Sequence, residues 1–318
     1  MCVITERLKE RFCKDLNLPI KLFCEPYFTE RLYLYDSQFE CVDKYRAFTE
    51  LVERCGGEQQ YFEMYNKVKD DAINYLNDNP SMQYFAKEED FSKFQIKNTG
   101  FPKHDIYHRD NDGKCFISID MRKGNFTALR HYDPKIVGNC EKYEDFLGLF
   151  TKESHLIYSK YIRQVIFGNV DPRRQVAYEQ YLMDMVLSDV LEVFDKESIV
   201  YFSTDEIVIK IDETCVPKYM GIVGDIVRSN CKKGINVRAD FFILHHIEGT
   251  DGYIREFLFN EKDIDIKGVN HLMMPFVLRQ LNSEMYMDGD YVFLYEGVLA
   301  KLLTAPDISV KFSYLRNV

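Results

Sequence analysis

The chain has no tryptophan, and its 318 residues include only 9 prolines and 16 glycines. So few breakers exclude a collagen-like or proline-rich extended chain. No apolar run reaches the roughly 20 residues that a membrane-spanning helix needs, so no membrane partner is expected. The first residues, MCVITERLKERFCKDLNLPI, carry charges throughout and lack an apolar signal core, so export by a standard signal is not expected. No CxxC occurs, and no Cys/His set has zinc-finger spacing. The cysteines, 9 in all, are scattered and odd in number, which predicts reduced thiols in a cytoplasmic compartment. There is no P-loop, no Gly-rich dinucleotide loop and no Gly-x-Ser-x-Gly elbow. Positive charge is also short: 41 Lys and Arg against 51 Asp and Glu give a net charge of −10. Dedicated duplex-binding modules are usually basic. Any nucleic-acid path must therefore rest on local basic patches or on a protein partner.

What is present is a folding chain. Hydrophobic residues make up 46% and charged residues 29%, with 22 Tyr and 24 Phe. That supports one large core or two to three small ones. Phe39–Cys55 and Gln60–Leu76 carry apolar residues at helical spacing, split by Gly56-Gly57, and Asn79-Pro80 stops the second. Residues 98–114 read as a loop or linker. Cys115–Ile119 reads as a strand, and Tyr143–Phe150 and His155–Phe167 read as helices. Asp171-Pro172 is a helix start, with Asp as the cap and Pro in the first turn. The helix that follows, over Arg173–Phe194, puts Tyr178, Leu182, Val186 and Val190 on one face. Residues 216–231 read as helix or loop. Gly249-Thr250-Asp251-Gly252 turns a hairpin between Gly234–His246 and Tyr253–Phe259. Met273–Leu281 reads as a helix and Val292–Leu303 as an amphipathic segment. The order predicts an α+β fold: a helical N-terminal subdomain over 1–100, a sheet-and-helix core over 101–234 and a C-terminal hairpin region over 235–318.

Two strings carry the chemistry. Phe116-Ile117-Ser118-Ile119-Asp120 ends a strand on an acid, and Tyr201-Phe202-Ser203-Thr204-Asp205-Glu206 places two more before the run Ile207–Ile211. Carboxylates at neighbouring strand ends are the oxygen donors that two-metal phosphoryl transfer needs. Asp120 and Asp205 are the expected catalytic metal ligands, for Mg²⁺ or Mn²⁺, with Glu206 as a third acid. Basic residues that can line a nucleic-acid groove include Arg122, Lys123, Arg130, Arg173, Arg174, Lys232, Lys233 and Arg238. His104 and His108, and the pair His245-His246, are weaker candidates for metal binding.

These strings resemble motifs of family B DNA polymerases. Tyr201–Glu206 resembles the YxDTDS hairpin of that family. Lys160-Tyr-Ile-Arg-Gln164-Val-Ile-Phe167-Gly168 is similar to its KxxxNxxYG helix, with Gln for Asn and Phe for Tyr. Asp120-Met-Arg-Lys-Gly-Asn125-Phe126 stands where the family has DxxSLYPS, and Asp265-Ile-Lys267-Gly268 resembles its lysine-glycine turn. All fall in the family's order, over about 115–270. The resemblance implies a polymerase-like palm, with fingers-like helices over 139–195 and a thumb-like C-terminal region. It implies that Lys160 and Arg163 contact an incoming nucleoside triphosphate and that Gln164 sits near the nascent base pair. Lys267 would approach the primer of a primer–template or single-stranded nucleic acid. Asn125 stands where the family has a Tyr that blocks the ribose 2′-hydroxyl, so ribonucleotides would be admitted unless Phe126 fills the gap. Ser203 replaces the first Asp of the hairpin.

Thr204-Asp205-Glu206 is also similar to the hairpins of tRNA-histidine guanylyltransferases and of GGDEF cyclases, although Met121 stands where the former have Gly. The small size and the lack of room for a proofreading nuclease point to a viral, phage, mobile-element or defence-associated enzyme. A catalytically inactive palm-like scaffold is the alternative that Ser203 favours.

Overall fold

The structure is a computed structural model, and it describes residues 3–87, 91–259 and 264–310. Cys2 and the last eight residues of the C-terminal region lie outside the described residues.

Five helices come first: α1 (Glu6–Leu16), α2 (Tyr27–Phe39), α3 (Val42–Cys55), α4 (Glu58–Asp78) and α5 (Pro80–Lys87). The expected Phe39–Cys55 helix is α3, which starts three residues later at Val42; Phe39 is the last residue of α2. Glu40 takes a left-handed conformation with φ 48°, and the Asp36 carboxylate accepts the Val42 amide to restart the chain. The Asn79 carboxamide oxygen does the same between α4 and α5, accepting from Ser81.

The sheet follows. Strand β1 (Cys115–Met121) leads into α6 (Gly124–Tyr132), α7 (Tyr143–Leu147), α8 (Ser154–Ile157), α9 (Lys160–Gly168) and α10 (Pro172–Leu191). Then come β2 (Ile199–Phe202), β3 (Glu206–Ile211), α11 (Val216–Lys232), β4 (Val237–Glu248), β5 (Tyr253–Phe257) and β6 (Ile264–Lys267). The predicted helix 155–167 is broken because Ser159 caps α9 by accepting the Ile162 amide. Asp171 caps α10 as expected, with Pro172 in its first turn.

The strand order is β2-β3-β1-β4-β5-β6, with every pair antiparallel. From β1 to β4 the chain runs strand, helices, strand, strand, helix, strand, the split β-α-β arrangement. The division drawn at 234/235 falls between α11 and β4, and β4 is β1's direct neighbour.

Side chains alternate across β1. Ile117, Ile119 and Met121 face the main core together with Leu182 and Val186 of α10. Phe116 faces the other way, against Val208, Phe242, Leu244 and Tyr253. That second face is partly roofed by the segment before β1, through Ile106 and Tyr107. Residues 98–114 are thus a loop laid on the sheet: Asp184 accepts the amides of Lys97 and Asn98, and Pro102 O accepts from Phe202 N. Burial of both faces explains why β1 reads as a near-continuous apolar run.

Helix α12 (Met274–Leu281) lies on the C-terminal side. The segment expected to be amphipathic is a hairpin, β7 (Val292–Tyr295) and β8 (Val298–Lys301), turned by Glu296 and Gly297, both at positive φ. Strand β9 (Ser309–Val310) pairs with the end of β4.

Candidate active site

Register brings the acids together. Asp120, next to last in β1, is directly opposite Glu206 of β3 on one side and Arg238 of β4 on the other. Opposed residues share a face, so all three lie on the side away from the helices. Asp205 sits in the β2–β3 turn, and its carbonyl accepts the Met121 amide at 2.7 Å. The backbone therefore fixes Asp205 one position from Asp120 on the neighbouring strand. Ser203, where the resembled motif has an acid, shapes this turn: its hydroxyl donates to Asp205 Oδ1 at 2.9 Å and accepts the Glu206 amide at 3.1 Å.

The three acids are in different electrostatic states. Arg238 Nε donates to Asp120 Oδ2 at 3.1 Å and also faces Asp240 at 3.5 Å. Burial pushes Asp120 up to about 6; Arg238 opposes this, and Glu206 and Asp205 add to it. Glu206 is turned from that pair: its Oε1 accepts from Ser118 Oγ at 2.6 Å and from Arg255 Nη1 at 2.9 Å. The Arg255 guanidinium lies over the Phe242 ring. Asp205 is exposed.

A fourth acid escaped the sequence reading. Glu179 of α10 is 7% exposed. Its Oε1 accepts one bond, from Asn125 Nδ2 at 2.8 Å, and no cation among the described residues pairs with it. Burial, then the charge of Asp205, pushes it up to about 7. Gly124 makes room for it, because a Cβ there would stand 3.0 Å from Glu179 Oε2. The available signal was an acid inside the buried stripe of α10, between Tyr178 and Leu182.

Cations gather beyond the turn after β1. Lys123 pairs with Glu144 and stands over the Tyr143 ring at 5.7 Å. Arg163 of α9 stands over the same ring at 5.8 Å. Burial holds Arg163 below its ordinary range, with Tyr143 and Glu144 opposing, and the buried Tyr143 hydroxyl has no hydrogen-bond partner among the described residues. Arg163 is thus brought beside the chain that leaves Asp120. Lys160 is exposed at the start of α9. Gln164 lies on another side of α9, lining a groove with Glu10, Lys14 and Tyr161.

The remaining candidates are spread out. Asn125 is held by Glu179, and Phe126 is buried against Tyr143 and Phe146. Arg173 is exposed at the start of α10. Arg174 donates to Phe85 O at 2.9 Å and faces Asp171, so it ties α10 to α5. Lys267, opposite Tyr253 at the end of β6, pairs with Asp265 at 2.8 Å. His245 meets Glu256 and His246 meets Thr250 O, from opposite faces of β4.

Among the described residues, no three His, Cys, Asp or Glu side chains are already gathered as a ligand set. The chemistry of Asp120 and Asp205 nonetheless fits a hard divalent cation. Both are oxygen donors, Asp120 lies at the end of β1 and Asp205 in the β2–β3 turn bonded to it through the backbone, and Asp120 is raised partly by its acidic neighbours, which a cation would reverse. No family model matches the chain, and no curated protein or solved structure matches it either.

Proposed function

We propose that the protein is a nucleotidyltransferase with a polymerase-like palm, acting on nucleoside triphosphates with Mg²⁺ or Mn²⁺. The observation that carries this is the locked pair: Asp120 at the end of β1 and Asp205 in the β2–β3 turn, joined through the Met121 amide. The strand order β2-β3-β1-β4 and the motif order of family B polymerases both support it. A bound cation would supply charge neutralisation at the phosphates and a more acidic attacking hydroxyl.

The chain's own residues supply the rest. Asp120 and Asp205 would hold the cation, with Arg238 as the counter-charge in its absence. Lys123 and Arg163 would attract the triphosphate, with Lys160 reaching it from the next turn of α9. Asn125, held by Glu179, would meet the sugar. Arg173, which is exposed, and Lys267, half-buried beside Asp265, are the cations that would follow a nucleic-acid backbone.

A second reading is an inactive palm-like scaffold. It is favoured by Glu206, whose carboxylate is occupied by Ser118 and Arg255, and by Ser203 as a turn residue. The deciding experiment incubates the protein with Mg²⁺ or Mn²⁺ and each labelled NTP and dNTP, with and without a primed template. Product that disappears in Asp120→Asn and Asp205→Asn supports transfer. A folded protein that labels and extends nothing leaves the scaffold reading.

A further inference from the structure

A cavity of about 300 Å³ shares no residue with the acids. It lies between the chain after α1, one side of α2 and strand β7. Apolar residues such as Ile20, Leu22 and Leu302 line it, and so do Lys21, Arg31 and His271.

Arg31 is built into the wall. It is 7% exposed, and its Nη2 donates to the carbonyls of Gly289 at 3.0 Å, Asp290 at 3.1 Å and Val292 at 3.1 Å. Its Nη1 is buried with no hydrogen-bond partner among the described residues. A buried donor left unpaired is costly, so such a group points to a missing acceptor. The surroundings are electropositive. Burial lowers His271, and the charges of Lys21 and Arg31 lower it further, so their field reaches across the cavity. The acid on the wall, Asp290, already accepts from Arg279 Nε at 3.0 Å and from the Met287 amide at 2.7 Å.

The β7–β8 hairpin covers one side. It forms a two-stranded sheet of its own, and Leu294, Tyr295 and Val298 on it are 49%, 61% and 68% exposed. Isolated two-stranded hairpins are marginal in water. This one is held at its base by the three Arg31 bonds.

We propose that this cavity binds a small organic anion with an apolar body, its carboxylate or phosphate taken by Arg31 and Lys21 and its body lying under the hairpin. At about 300 Å³ the cavity has room for a short amphiphile such as octanoate. The site is independent of the nucleotidyl-transfer reading and stands or falls separately from it.

Calorimetric titration of the full chain with octanoate, octyl phosphate, n-octanol and inorganic phosphate tests it, together with amide exchange over 292–301. One or both octyl anions should bind about tenfold or more tightly than octanol, and which of them binds better names the head group. Inorganic phosphate should bind more weakly than either, and the hairpin amides should gain protection. Arg31→Met also removes the hairpin's anchor, so two other variants carry the test. Leu302→Glu sets a like charge against the anion and should abolish binding, and Lys21→Met should weaken it. Failure of both octyl anions to bind the folded protein would overturn the proposal. So would octanol binding as tightly as the anions, or binding indifferent to Leu302→Glu.

Discussion

Asp15 and Glu179 are both acids buried under helices, and the chain treats them in opposite ways. Asp15 is 0% exposed. Its Oδ1 accepts from Ser159 Oγ at 2.8 Å and its Oδ2 faces His155 Nε2 at 3.1 Å. Those contacts tie α1 to the junction of α8 and α9. Glu179 has one amide donor and faces another acid, Asp205. A buried carboxylate with partners holds a fold together, and one without them is an uncompensated cost. Satisfied acids therefore mark the helical half as scaffold. Glu179 and Asp205, which repel each other near the end of β1, mark the place where a cation would be stabilising.

The comparison breaks most visibly on activity. Asp205→Asn and Asp120→Asn should lower nucleotidyl transfer by about a thousandfold or more. Neither should lower the urea midpoint in metal-free buffer, because each removes repulsion. Asp15→Ala should do the reverse. It strands Ser159 and His155 in a buried site and should cost about 4 kcal/mol of stability, read as a shift in the urea unfolding midpoint. An unfolded Asp205→Asn beside a fully stable Asp15→Ala would put the scaffold at the wrong end of the molecule.

Titration sharpens the same contrast. The Glu179 carboxyl is raised from 4.5 to about 7 in the fold. A raised acid favours the fold while it is neutral. Its contribution is full below pH 4.5 and lost as pH rises through 7, on the order of 3 kcal/mol in all. Glu179→Gln should remove that loss, so the variant gains on the wild type between pH 5 and pH 8 in urea midpoints. Parallel pH profiles for the two proteins would show that Glu179 is compensated after all.

The acid pair was legible in sequence because each acid ends a run of strand-forming residues, and β1 and β3 follow those runs closely. Their meeting in register was not, since antiparallel pairing of 120 with 206 is a long-range contact with no local signal. Glu206 was expected as a third acid beside Asp205, yet it lies on the strand proper, where Ser118 and Arg255 capture it. Arg255 comes from β5, beyond the reach of any motif around 205. Glu179 was hidden because the stripe of α10 reads as core, and core it is. The loop over 98–114 looked like a linker because its turn residues say nothing of Ile106 and Tyr107 packing on the sheet. The late start of α3 and the break at Ser159 lack Gly or Pro; side-chain caps from Asp36 and Ser159 make them.

The smallest expected effect separates the two faces of α9. Arg163 is half-buried over Tyr143, with no hydrogen bond to its guanidinium among the described residues, whereas Gln164 looks toward α1. A guanidinium in that state gives the fold little, so Arg163→Met should leave the urea midpoint nearly unchanged. It should raise KM for the nucleoside triphosphate about tenfold, with a smaller change in kcat, as expected when a charge-assisted contact to a phosphate is lost. Gln164→Ala should move neither constant. Arg174→Met is the control, because its bond to Phe85 O makes it structural, and it should lower stability without selective loss of triphosphate affinity. If Gln164→Ala raises KM and Arg163→Met does not, the phosphate-facing side of α9 has been assigned to the wrong residue.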